Sequence, residues 1–194
     1  VQYFPLHAGN NGRYNSHMTR VLFLCVRNSC RSQMAEGFAR ARKEKEVEVV
    51  SAGLEAAAVH PLAIKVMDEA GVDISHQKSK TLDSLKNLDF SLIITLCDHE
   101  EANCPCLPGH PAQVHWNLPD PAAVEGSESA KLDAFRKSRD SIKLLVDEVF
   151  DRGYLHAFVE CRRGVDTILN NISDGIIAHD LERKIYYFNK AAED

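Results

Sequence analysis

The stretch Val21-Leu22-Phe23-Leu24-Cys25-Val26-Arg27-Asn28-Ser29-Cys30-Arg31-Ser32 decides the fold. Four consecutive apolar residues read as a strand buried on both faces, and a segment of helical periodicity follows over 32–45. Residues 25–31 therefore join the end of a strand to the start of a helix. Successive backbone N–H groups in such a loop converge on a tetrahedral anion, and the unpaired first N–H groups and dipole of the helix point at the same place. Arg31 adds a planar fork of donors that suits two oxygens of that anion. The same positive field favours the thiolate form of Cys25, which becomes the candidate nucleophile rather than an inert buried thiol. Asn28 suits a left-handed turn, and Ser29 and Ser32 are placed to donate hydrogen bonds to the sulfur. The expected oxyanion-binding set is Val26, Arg27, Asn28, Ser29, Cys30, Arg31 and Ser32.

Outward from this loop, strand-like and helix-like segments alternate. Strands are expected at 20–25, 47–51, 91–96 and 113–116, and helices at 32–45, 61–70, 82–86 and 131–150. Such alternation predicts an α/β domain with a four-stranded parallel sheet flanked by helices, its ligand beyond the carboxyl ends of the strands. Cys97 follows the third strand directly, and if strands one and three are neighbours it emerges on the same rim as Cys25. Cys104 and Cys106 follow it closely. Two readings stay open at this point. A relay of thiols is one; a zinc site built from Cys97, His99, Cys104 and Cys106 is the other, although the paired C-x-x-C knuckles of zinc ribbons are missing. Asp120, between Pro119 and Pro121, is a candidate general acid or a simple turn carboxylate.

The chain has 194 residues, 44% hydrophobic and 26% charged, with a formal charge of −5, enough for one α/β domain with additional chain. The negative balance argues against direct nucleic acid contact. No apolar run approaches the about 18 residues that a membrane span requires, and no signal-peptide pattern opens the chain. A cytoplasmic location follows as the expectation, where six cysteines serve as catalytic, metal-binding or structural thiols more often than as permanent disulfides. Residues 1–18 show no clean periodicity, and Ser16-His17-Met18 has the character of a cloning remnant, so this segment is expected to be a non-native leader.

The run from Val21 to Gly37, together with Ser51-Ala52-Gly53, Ile93-Ile94-Thr95-Leu96-Cys97, Asn103-Cys104-Pro105, His115-Trp116 and Asp120-Pro121, resembles the thioredoxin-coupled arsenate reductases built on the low-molecular-weight protein tyrosine phosphatase fold. The resemblance spans roughly 19–150. It implies that Cys25 attacks arsenate held by the loop and Arg31, that Asp120 protonates the departing oxygen, and that Cys97 and then Cys104 act as resolving thiols. Thioredoxin would be the reductant, and no cofactor is implied. Cys106 stands where the family has an apolar residue, which makes it an alternative outer thiol. Some relatives hold potassium through the positions of Asn28, Glu36 and Ser51; here Lys78 or Lys80 would place an ammonium there, so no potassium requirement is expected. The alternatives are a tyrosine phosphatase using Cys25, Arg31 and Asp120 without a relay, or an oxyanion sensor without turnover. Ala122-Ala123 after Asp120-Pro121 lacks the aromatics that grip a phosphotyrosine ring.

Beyond 150 a helical connector is expected over 151–166. The segment 167–194 resembles the opening of a PAS sensory domain, with two strands around the turn at 180–183. It is too short for a domain of about 100 residues, so the expectation is a truncated module of a larger signalling protein. A hairpin rich in Ile, Tyr and Phe should pair with another chain, as in a homodimer, or dock on the domain.

Overall fold

A computed structural model describes residues 19–45, 47–98, 113–150 and 155, and the backbone of 151, 177–179 and 185–188. The expected leader at 1–18, nearly all of the connector at 151–166, and His99, Cys104 and Cys106 lie outside the described residues.

The elements run β1 (Thr19–Cys25), α1 (Arg31–Ala41), β2 (Val47–Gly53), α2 (Pro61–Glu69), a 3-10 turn (Leu82–Leu85), β3 (Leu92–Cys97), β4 (Gln113–Asn117), a second 3-10 turn (Pro121–Ala123) and α3 (Glu128–Asp151). The four strands form one sheet in the order β2-β1-β3-β4, every pair parallel. This is the expected four-stranded α/β architecture. A separate antiparallel pair, β5 (Ile177–His179) with β6 (Ile185–Phe188), brackets the expected turn.

Alternation along the strands sorts the core. Val21, Phe23 and Cys25 of β1 share a face with Leu92, Ile94 and Leu96 of β3, packed under Met34 and Phe38 of α1, Val66 and Met67 of α2, and Phe135, Ile142 and Val146 of α3. Leu22, Leu24, Val50, Ala52 and Ile93 form the other face, covered by Leu82 and Leu85. Among the described residues all three α-helices thus lie on one side. The expected helix at 82–86 is a correction: four residues form a 3-10 turn, too short to nucleate an α-helix, yet able to seat two leucines. Because the chain leaves β1 toward β2 on one side and reaches β3 on the other, the sheet's switch point falls between β1 and β3. Cys25 and Cys97 are the last residues of those two strands.

Candidate active site

The loop from Cys25 to α1 is held from outside. Glu55 N–H donates to the Val26 carbonyl (3.0 Å), Ala57 N–H to that of Arg27 (3.2 Å) and His60 N–H to that of Ser29 (2.9 Å). The Asn28 carbonyl accepts from Gln33 Nε2 at 3.1 Å. Four successive carbonyls are therefore engaged, and none of the chain's described peptides is cis. In a trans peptide the C=O of one residue and the N–H of the next point oppositely. The N–H groups of Arg27, Asn28, Ser29 and Cys30 consequently turn to the side facing away from those partners, which gives an array of donors suited to an oxyanion. The helix beyond adds its own: α1 has Cys30 at its N-cap position with no side-chain cap.

Asn28 is the pivot. It is wholly buried at φ 48°, the left-handed region, and its side chain spends every polar atom. Nδ2 donates to Ser32 Oγ (2.9 Å) and Ser51 Oγ (2.8 Å). Oδ1 accepts from Lys80 N (2.7 Å) and Gln33 Nε2 (3.0 Å). Gly53 permits this proximity: a Cβ there would meet Asn28 N at 2.6 Å and the carbonyl oxygens of Val26 and Glu55 at 2.7 Å, all backbone.

At the floor of the loop Cys25 is 3% exposed, its Sγ 2.9 Å from Ser32 Oγ. Ser29 does not share in that contact; its hydroxyl lies 3.6 Å from Cys30 Sγ instead. Burial pushes the Cys30 thiol up to about 12, against the Ser29 hydrogen bond that pulls it down. Arg31, almost fully buried, donates to the Leu118 carbonyl at 2.9 Å and lies 3.6 Å from Asp120 Oδ2. Asp120 Oδ1 caps the turn after it by accepting from Ala122 N at 3.2 Å. The structure thus gathers Cys25, Arg31, Ser32 and Asp120, from β1, α1 and the loop after β4, around one loop. Arg27 is exposed at its edge.

Glu36 is wholly buried behind the loop and faces two cations, Arg40 at 2.7 Å and Lys80 at 3.6 Å. With the Lys80 ammonium already against this carboxylate, the residues present do not fit a potassium ion between Asn28, Glu36 and Ser51. Among the described residues no group of three or more His, Cys, Asp and Glu could hold a metal.

Cys97 reaches the same rim as Cys25 but not the same face. Cys25 shares its face with Leu96, so the next residue projects from the opposite one. Cys97 is buried and disulfide-bonded to a partner outside the described residues, whereas Cys25 and Cys30 are free thiols.

Residues that sequence reading passed over are Gln33, which turns the Asn28 peptide, and His60, which precedes the Pro61 at the start of α2 and accepts from Leu62 N through Nδ1 at 3.1 Å. A polar residue directly before a proline at a helix start is an N-cap signal. Nothing in the sequence signals the role of Gln33.

A cysteine and an arginine on a loop between the first strand and first helix, with an aspartate opposite, define a phosphatase-like class of anion-processing enzyme. The sequence pattern of the family described as low molecular weight phosphotyrosine protein phosphatase matches residues 20–154, and the chain belongs to that family. Among its relatives, the arsenate reductase of Bacillus subtilis (strain 168) is 44% identical over 135 residues, 69% of this chain and 96% of that protein. A solved structure of an arsenate reductase in the phosphate-binding state superposes with a TM-score of 0.57 at 36% identity, covering 70% of this chain and 98% of the other. A thioredoxin-dependent arsenate reductase of Corynebacterium glutamicum matches with a TM-score of 0.54 at 28% identity, over 73% of this chain and 65% of that one. No helix among the described residues is long and apolar enough to cross a membrane.

Proposed function

We propose that the chain is an arsenate reductase working through a thiol relay. Arsenate enters the loop, its oxygens bound by the turned-in N–H groups and Arg31. Cys25 attacks arsenic as a thiolate, and an As–O bond breaks with Asp120 supplying the proton to the departing oxygen. Cys97 then attacks Cys25 sulfur. The S–S bond forms as the S–As bond breaks, its electron pair stays on arsenic, and As(V) leaves as arsenite while two thiols are oxidised. An outer thiol, Cys104 or Cys106, attacks Cys97 and frees Cys25, and a dithiol protein of the thioredoxin class reduces the outward disulfide.

The observation that carries this reading is the state of the cysteines: Cys97, on the strand hydrogen-bonded to that of Cys25, is in a disulfide while Cys25 is free. A simple phosphatase has no use for such a bond. The Pro121–Ala123 turn, with two small exposed residues after Asp120, offers no aromatic wall for a phosphotyrosine ring. The antiparallel pair β5–β6 supports reading 167–194 as the opening of a PAS-type fold, which would make this enzyme a module of a signalling protein.

Cys97→Ser tests the reading in an assay coupling arsenate to NADPH through thioredoxin and its reductase. Arsenate turnover should vanish while hydrolysis of a small phosphate ester at Cys25 persists. Equal loss of both activities would count against the relay, and a wild type that binds arsenate without consuming NADPH would point to a sensor.

A further inference from the structure

We infer that His60 is a positioning residue of the oxyanion loop, its imidazole fixing the amide that turns the Ser29 peptide, and this rests on the functional reading above. Its backbone N–H donates to the Ser29 carbonyl at 2.9 Å, and that bond directs the Cys30 N–H toward the anion's side of the loop. Nothing about a backbone amide requires histidine. What distinguishes residue 60 is how many elements its ring ties together. Nδ1 accepts from Leu62 N at 3.1 Å and so caps α2 in place of the usual hydroxyl or carboxamide. The ring also stacks on Phe135, centroids 4.7 Å apart and planes 28° from parallel, and Phe135 is a fully buried residue of α3. Residue 60 is thereby clamped between α2 and the core-packed α3, and its amide is held where the loop needs it.

The ring's electrostatic setting agrees with the geometry. Accepting from Leu62 requires an unprotonated Nδ1, and burial holds the imidazole below its ordinary value, opposed in part by the carboxylate of Asp120. One residue thus ties the oxyanion loop to α2 and α3.

The test reads anion binding without turnover: protection of Cys25 from iodoacetamide by inorganic phosphate, with thermal melting in parallel. His60→Ala should raise the half-protecting phosphate concentration about tenfold, the size of one lost charge-assisted hydrogen bond. His60→Asn keeps a capping acceptor and loses the ring stack, so it should fall between Ala and wild type, about threefold weaker, and it supplies the answer should the Ala variant not fold. Unchanged protection in His60→Asn, or a lower melting midpoint with unchanged protection in His60→Ala, overturns the inference and leaves His60 a helix cap only. Because phosphate protection needs no reduction step, absence of arsenate turnover in the wild type would sink the reductase reading while leaving this result intact.

Discussion

At the residue scale two buried thiols of one loop have different surroundings. Cys25 lies against Ser32 at the bottom of an array of N–H donors, while Cys30 is buried with its ionisation pushed from 9.0 up to about 12, chiefly by desolvation. The folded chain therefore keeps the Cys30 proton where the unfolded chain gives it up. Stability from this group is complete below about pH 9 and drains away as pH rises toward 12, at about 1.4 kcal/mol per unit at most. Urea midpoints measured across that range should fall more steeply for wild type than for Cys30→Ala; parallel curves would mean that Cys30 titrates like an exposed thiol. Asn28 shows what one residue can carry, since its left-handed φ and four side-chain hydrogen bonds tie the loop to β2, α1 and the 78–80 segment. Sequence reading recognised the left-handed turn, because Asn tolerates that conformation. The partners of its side chain, Ser51 and Lys80, lie 23 and 52 residues away and only folding brings them in.

At the element scale the chain from Gly53 to His60 is a strap that turns three loop peptides, and its entry depends on a missing side chain. A methyl group at Gly53 would press on three backbone atoms that no rotamer change can move. Gly53→Ala should cost about 1–3 kcal/mol of stability, as overpacking does, and should weaken phosphate protection of Cys25 as the strap lifts. A stable variant with wild-type protection would show that the strap does not orient the loop. Helix ends were partly legible. α1 stops at Ala41 instead of continuing through 45, because Lys43 takes φ 55° to bring the chain back to β2, a demand of the sheet that the helix-forming residues beyond 41 do not announce. α3 begins at Glu128, ahead of the expected 131, and here the signal was present: Ser127 accepts from Ala130 N at 3.2 Å, an ordinary hydroxyl cap.

At the scale of the whole molecule the proposed relay demands a rearrangement. Cys25 and Cys97 end adjacent strands on opposite faces, so joining them requires the end of β3 to leave the sheet, breaking the Cys97–Asn117 pairing and the 3.3 Å bond from Leu118 N to the Cys97 carbonyl. In a Cys104→Ser, Cys106→Ser variant oxidised by arsenate, the Leu118 amide should exchange with deuterium much faster than in the reduced protein. Unchanged exchange would sink a relay through Cys97. The order of the chemistry was written along the chain: strand, loop and helix around Cys25, the alternation that makes a parallel sheet, and the positions of Arg31 and Asp120 are all local patterns of polarity, turn preference and spacing. Which strands are neighbours, which face each cysteine takes, and which distant N–H groups turn the loop's peptides depend on contacts between segments tens of residues apart. Strand alternation gives a residue's face only once the register is known, and the register is set by packing two faces of a sheet at once.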